Sequence, residues 1–247
     1  MSAPDLWDDE RRDYRQRYQL PEQWLWDEAS WPRVQYDGYM RVILDLLPPP
    51  PAEVLDVGCG PGFGAKHMAA RGYAVTGLDF NERGIAFGNV LVPEATLLHA
   101  DARLLREDEQ LHGRFDAATI IEVLEHIPPA FHDQVIEGAR AALRDGGALI
   151  VSVPSNRLVP SRWDYKHFEL SEVTELMTHH GFTLDPPIFQ CRVTLLQSPR
   201  FWRLLDNRYY DLKVLRRLVR AVFLRYHNIA TGQENAGRFI LRGIKHA

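Results

Sequence analysis

Five consecutive positions near the middle of the chain hold three side chains with chemistry: Glu122, Glu125 and His126, within IIEVLEHIP at 120–128. Two carboxylates and an imidazole suit magnesium, manganese or zinc, and His167, in SRWDYKHFE further along, would complete a four-donor set. The same imidazoles titrate near neutrality, which makes His126 and His167 the candidates for a general base that takes a proton from a hydroxyl. A third reading is structural, with the three side chains lining a ligand site at the end of a strand.

A second group lies upstream. LDVGCGPGFG (55–64) places Gly58, Gly60 and Gly62 where a backbone must turn sharply and approach a ligand, with Cys59 between the first two. The spacing is G-x-G-x-G, whereas pyrophosphate-binding turns use G-x-G-x-x-G. Asp56, two residues before the first glycine, adds a negative charge, so the pattern suits a ligand that lacks a pyrophosphate and carries an ammonium or sulfonium. Asp79 ends the next apolar run, where a carboxylate accepts from both hydroxyls of a ribose, and Phe80 follows to lie against the ring. Asp101 ends a third run, placed to accept from an adenine amine with the Ala102 backbone beside it.

These groups need a scaffold, and the hydrophobic periods supply one. Strands are expected at 53–59, 74–79, 96–101, 114–123 and 147–154, with helical stretches to Ala70 and over 82–89, 129–143 and 169–182. Pro129 marks one helix start, Gly146–Gly147 follow its end, and Ser171 and Gly181 are cap candidates for the last. Strands alternating with helices imply an α/β fold with a mostly parallel sheet covered on both faces. Before this domain, residues 1–47 form a charged, aromatic N-terminal extension with expected helices at 8–19 and 38–47, stopped by the prolines at 48–51.

Bulk properties narrow the function class. A chain of 247 residues buries a substantial core as one domain, and a formal net charge of -4 gives no global attraction to nucleic acid. Two cysteines, Cys59 and Cys191, make no disulfide framework. No apolar run of membrane-spanning length and no signal-peptide core is present, so the expected location is cytoplasmic.

The chain resembles the class I S-adenosyl-L-methionine-dependent methyltransferases from about Glu53 to Gln197, through EVLDVGCGPG, GLDFNERGI, ADA, FDAATIIEVLEHI and ARAALRDGGALIVSVPSN in that order. The resemblance implies a Rossmann-like seven-stranded sheet, six strands parallel and the last antiparallel. IFQCRVTLL (188–196) and GRFILRG (237–243) would then be the final pair, within a methyltransferase domain at 48–247 that carries a helical insertion at 198–235. It also implies that the glycine loop follows the methionine part of the cofactor, that Asp79 binds ribose and Asp101 adenine, and that Ile121 and Glu122 pass close to it. The chemistry implied is an in-line methyl transfer from a sulfonium. The E-x-x-E-H segment is similar, more weakly, to small-RNA 2′-O-methyltransferases and to ubiquinone-pathway O-methyltransferases. From that likeness comes an alternative divalent-metal set of Glu122, Glu125, His126 and His167 and an RNA ribose acceptor, although KHFEL lacks the tryptophan that follows in the RNA enzymes. A non-catalytic adenosylmethionine-binding interaction protein is the remaining alternative.

Two appendages bear on the acceptor. The extension at 17–39 is the expected lid, with Tyr36, Tyr39, Trp26 and Trp31 as an apolar wall; Arg162 and Trp163 are further acceptor-binding candidates. Residues 198–228 show helical spacing of Trp202, Leu205, Tyr209, Leu212, Leu215, Val219, Val222 and Tyr226 beside a basic face. This reads as a helix or helix pair packed on the domain, or as a contact for a membrane surface or an anionic substrate. The favoured acceptor is a small or mid-sized organic molecule, such as a sugar, phenol, polyketide or lipid-linked glycan, methylated on a hydroxyl.

Overall fold

The computed structural model describes residues 20–28, 30–161, 163–192, 199–207, 210–230 and 232–246. The helix expected over 8–19, the end of the strand expected over 188–196, Tyr209 and the acceptor candidate Arg162 lie outside the described residues.

A short helix α1 (Glu22–Leu25) and a longer α2 (Trp31–Leu46) precede β1 (Glu53–Val57), α3 (Phe63–Ala69), β2 (Ala74–Asp79), α4 (Glu82–Leu91) and β3 (Thr96–His99). There follow β4 (Phe115–Ile121), α5 (His132–Ala142), β5 (Leu143–Pro154), α6 (Leu170–His179), β6 (Phe182–Leu184) and β7 (Ile188–Arg192). The last part holds α7 (Pro199–Leu205), a small hairpin of β8 (Asp206–Asn207) and β9 (Tyr210–Asp211), α8 (Lys213–Val222) running into a π-turn at Phe223–His227, and β10 (Ala236–Lys245).

The main sheet has the order β3-β2-β1-β4-β5-β10, and β6 and β7 both pair with the far edge of β10. The first five strands are parallel to their neighbours and β10 is antiparallel to β5. Eight strands therefore fill seven sheet positions. The edge position is interrupted at Asp185-Pro186-Pro187, where two residues have no N–H to give a ladder. Alternation sorts the strand residues onto two faces. Leu55, Val57, Leu149 and Val151 join the cluster under α5 and α6, whereas Val54, Ala148 and Ile150 join Met40, Ile43 and Met68 of α2 and α3. With both faces covered, these strands read as continuous apolar runs.

Several boundaries differ from the sequence expectation. β5 starts at Leu143, because a register shift opposite Phe115–Ala117 absorbs the extra residues before Gly147. The cap of α6 is a reciprocal pair of Glu169 and Glu172 side chains with backbone N–H groups, with Ser171 the second residue of the helix. The helical spacing at 198–228 divides between two helices, because the hairpin turns the chain between Leu205 and Lys213. Trp202, Leu205 and Phe223 turn inward against Val34 and Cys191, while Leu215, Val222 and Tyr226 remain exposed. Among the described residues no helix is long and apolar enough to cross a membrane.

Phe223 is fully buried in the small cluster that fastens this appendage to α2, with its ring 5.0 Å from Trp31, which also stacks on Trp202. Phe223→Ala should lower unfolding free energy by about 3–5 kcal/mol in urea titration. A loss under about 1 kcal/mol would mean that the appendage is not part of the cooperative unit.

Candidate active site

The strand order reverses between β1 and β4, and parallel sheets bind ligands in the crevice outside the carboxyl ends at such a point. A cavity of about 330 Å³ lies there, within the range of small-molecule sites. Its floor is the turn after β1. The N–H groups of Gly58 and Cys59 both donate to the Leu78 carbonyl, at 2.7 and 3.0 Å, which ties the turn to β2. Gly58 has φ +76°, and a Cβ there would come 2.5 Å from Val123 Cγ2, so only glycine fits beneath the loop that follows β4.

Three acids ring this floor. Asp79 Oδ2 accepts from Gly60 N at 2.9 Å and Oδ1 from Asn81 N at 2.8 Å, so two backbone donors fix this carboxylate in the cavity lining. Asp101 is clamped by the Arg103 guanidinium, whose Nε lies 2.9 Å from Oδ2, and Arg103 in turn covers the Phe131 ring. Asp56 is buried, and Oδ1 accepts from Thr119 Oγ1 at 2.8 Å. Burial pushes its carboxyl up to about 7, the nearby Asp79 charge adds to the rise, and the Thr119 hydrogen bond opposes it.

The wall opposite is aromatic. Trp24 Nε1 donates to the Pro61 carbonyl at 3.1 Å, and Phe63, the first residue of α3, meets Trp24, Trp26 and Tyr36 at ring separations of 5.3, 6.2 and 4.8 Å. Tyr36 and Tyr39 pack edge to face at 4.8 Å. Burial holds both phenols well above their ordinary range, so they stay neutral. Trp26, Tyr36 and Tyr39 line the cavity, whereas Trp31 packs against the appendage.

The loop after β4 forms the third side. Glu122 has a left-handed φ of 54°. Its Oε1 accepts from Ser152 Oγ of β5 at 2.8 Å and its Oε2 from Arg238 Nε of β10 at 2.7 Å. The Arg238 guanidinium also lies over the Tyr39 ring, and despite its burial the Glu122 charge holds it firmly protonated. His132 Nε2 donates to the carbonyls of Leu124 and Ile127, both at 2.9 Å, and Tyr165 N donates to the Glu125 carbonyl at 2.7 Å. Glu125 is buried in the wall. Desolvation and the Glu122 charge push its carboxyl well up, and its Oε2 has no hydrogen-bond partner among the described residues.

His126 lines the cavity, and its Nδ1 lies 3.1 Å from Asp164 Oδ1 and 3.2 Å from the Trp163 carbonyl. Both neighbours are acceptors, so Nδ1 carries the proton of the neutral ring and Nε2 the lone pair. Asp164 is the hub of this corner. Ser161 N and Oγ donate to it, at 2.5 and 2.8 Å, and His167 Nε2 lies 3.2 Å from Oδ2. Burial alone would raise the Asp164 carboxyl, but the hydrogen bonds from His126 and Ser161 prevail and hold it well below the usual range.

Of the residues singled out in the sequence, Asp56, Gly58, Cys59, Gly60, Asp79, Phe80, Asp101, Ala102, Ile121, Glu122, Glu125, His126, Tyr36 and Tyr39 line one cavity. Three do not. Gly62 sits behind the loop, with φ +77° and its Cα facing Leu97 and Val92. His167 is buried behind Asp164, with Nδ1 on the Leu158 carbonyl at 3.1 Å, and Trp163 contributes its carbonyl. The four alternative metal donors do not converge. Glu122 is engaged by Ser152 and Arg238, His167 stands behind Asp164, and no group of three or more such side chains is placed to hold an ion among the described residues. The sequence reading did not single out Arg238, Ser152 or His132 as parts of the site.

Comparison with known proteins gives this geometry a family. Residues 31–220 match the family model described as a methyltransferase domain. The ubiquinone biosynthesis O-methyltransferase of Dechloromonas aromatica is 37% identical over 102 residues, covering 40% of this chain and 43% of that protein. The matched stretch thus spans less than half the length of this relative. Among solved structures, a SAM-dependent methyltransferase from Archaeoglobus fulgidus aligns over 99% of this chain and all of its own, with TM-score 0.61 and 14% identity. The 1,6-didemethyltoxoflavin-N1-methyltransferase of Burkholderia thailandensis aligns over 100% of this chain and 92% of its own, with TM-score 0.61 and 19% identity. These two structures share the fold.

The position of Gly62 generates a discriminating test. Gly62→Ala puts a side chain into a left-handed residue and its Cβ 2.7 Å from Leu97 Cδ1, which should cost about 1–2 kcal/mol or more in thermal or urea unfolding. Affinity for S-adenosylhomocysteine, measured by calorimetry at a temperature where the variant is folded, should stay near wild type. A tenfold loss without destabilisation would return Gly62 to the binding surface.

Proposed function

The chain belongs to the methyltransferase-domain family, and from that premise we propose that it transfers a methyl group from S-adenosyl-L-methionine to a hydroxyl of a small or mid-sized organic acceptor, with His126 as the base. The partner set of His126 carries this reading. An imidazole whose Nδ1 is committed to a carboxylate and a carbonyl presents Nε2 as a proton acceptor, in a ring held still by Asp164.

On this reading Asp79 takes the ribose hydroxyls, Asp101 and the Ala102 backbone receive the adenine edge, and Phe80 lies against the base. Gly58, Cys59 and Gly60 pass the methionine portion, and Asp56 faces its positive charge. When bound there, the sulfonium supplies an activated methyl group and departs as a neutral thioether. The acceptor oxygen forms its bond to carbon as the carbon–sulfur bond breaks, and its proton passes to His126 Nε2. Asp164 stabilises the imidazolium that results. Glu125, whose carboxyl is pushed well up by burial and the Glu122 charge, stands in the cavity wall with Oε1 4.0 Å from His126 Nε2. Trp26, Tyr36 and Tyr39 close over it and exclude water. The O-methyltransferase name of the ubiquinone-biosynthesis relative supports oxygen as the methylated atom. The alternative of metal-dependent ribose methylation rests on a donor set that these side chains do not assemble.

With a hydroxylated acceptor found by screening phenols, sugars and lipid-linked glycans, His126→Ala should lower kcat about 10²- to 10⁴-fold. Its affinity for S-adenosylhomocysteine should change little. Asp79→Ala should show the reverse weighting, with binding weakened by about tenfold or more, as expected for loss of charged hydrogen bonds. Wild-type turnover in His126→Ala would remove the base.

Asp56 predicts a pH dependence. Its folded value of about 7 lies above the ordinary 3.8, so its contribution to stability is complete below about pH 4 and is lost as pH rises through 7. Unliganded protein should therefore lose stability between about pH 4 and pH 7, and Asp56→Asn should flatten that decline. Affinity for the cationic ligand should rise over the same interval in wild type and not in the variant.

A further inference from the structure

The surface of α8 has no use in the proposed reaction, and it is unusual. At 3.6 residues per turn, Val214, Leu215, Leu218 and Val222 fall within an arc of about 100°. All four are exposed, Val214 at 82% and Leu218 at 59%, and Tyr226 continues the ridge at 69%. This ridge stands beside the face that packs inward, where Arg216 and Phe223 are buried. A cluster of large apolar side chains held in water marks a surface that something else covers.

Charge identifies the occupant. From Pro199 to Tyr226 the sequence holds eight arginines and lysines against two aspartates, in a chain whose formal net charge is -4. Arg216 is consumed inward by Asp211 and Asp27, at 2.8 and 3.0 Å, and Arg220 by Asp37 at 2.7 Å. Arg200, Arg217 and Arg225 are exposed and have no ion-pair partner among the described residues. A second copy of the chain would bring the same positive patch against itself. A nucleic acid would engage the guanidinium groups and leave the valines and leucines wet. An apolar ridge with unpaired cations around it matches a layer that is negative at its surface and apolar beneath.

We propose that α8 docks the protein on an anionic lipid surface, with Val214, Leu218 and Val222 in the acyl boundary and Arg217 and Arg225 at the headgroups. Ten residues make a helix of about 15 Å, half of what a bilayer core of about 30 Å demands, so the helix lies along the interface. The docking is relevant to the cavity. Arg216 and Arg220 bind Asp27 and Asp37, and the segment that carries those aspartates also supplies Trp26, Tyr36 and Tyr39 to the cavity wall. The lipid surface would thus hold the aromatic wall of the site beside it.

The test is flotation of the full chain with vesicles of pure phosphatidylcholine or of phosphatidylcholine with 30% phosphatidylglycerol, about that much being a strongly anionic surface. The wild-type protein should float with the anionic vesicles, release in high salt, and ignore the neutral ones. The double variant Val214→Glu with Leu218→Glu should lose at least about tenfold of that binding, as two charges replace two inserted side chains. Its melting temperature and S-adenosylhomocysteine affinity should match wild type, since neither residue touches the core or the cavity. Absence of wild-type flotation would overturn the proposal, and so would equal flotation of the variant. Self-association or RNA binding that the variant abolishes, with no lipid binding in wild type, would assign the ridge to those occupants and overturn it as well.

Discussion

The chain leaves β4 through Glu122 in a left-handed conformation, and a partly buried ion pair with Arg238 accompanies that departure. A residue with a Cβ gives up about 1–2 kcal/mol in that conformation. The carboxylate is held from two neighbouring strands at once, by Ser152 of β5 and Arg238 of β10. That turn brings Val123 over Gly58, places Glu125 in the wall and presents His126 to the cavity. Removing one partner would leave the other charge without its counter-ion in a partly buried site and loosen the turn. The antiparallel last strand therefore does more than close the sheet. It carries the cation that fixes the loop on which the proposed chemistry depends.

The parts of the site divide by how they were legible. Asp56, Asp79 and Asp101 stand at strand ends followed by turn residues, a pattern that local period and topology alone expose. Hence this side of the cavity was legible in the sequence. Arg238 lies more than a hundred positions from Glu122 in sequence, and only the pairing of β10 with β5 brings the two together. His132 was hidden differently. It opens a helix, and nothing in its neighbourhood announces that its ring clamps the preceding loop. His167 was legible as a candidate imidazole, but spacing could not tell that Asp164 lines the cavity and His167 stands behind it.

Fold legibility followed the same rule. Strands buried on both faces were found as apolar runs, and errors gathered where tertiary contacts set the ends, as at the bulged start of β5. The appendage shows the limit most clearly. Its apolar residues recur at helical spacing through Leu205 and Leu212, yet a two-stranded hairpin turns the chain between them. A periodic pattern reports the faces of helices without reporting a reversal between them. The consequence is an inward set, Trp202 and Leu205, and an outward set, Leu215, Val222 and Tyr226, which the sequence spacing ran together.

The claim on which the proposed chemistry turns is the protonation pattern of His126, set by Asp164 and the Trp163 carbonyl at Nδ1. Long-range ¹H–¹⁵N correlation spectroscopy of the protein with S-adenosylhomocysteine bound, assigned by comparison with His126→Gln, observes that pattern directly. At a pH where the ring is neutral, the account predicts a protonated Nδ1 and an unprotonated Nε2. A neutral ring with its proton on Nε2 would contradict it, because that ring would have no lone pair to receive the acceptor's proton.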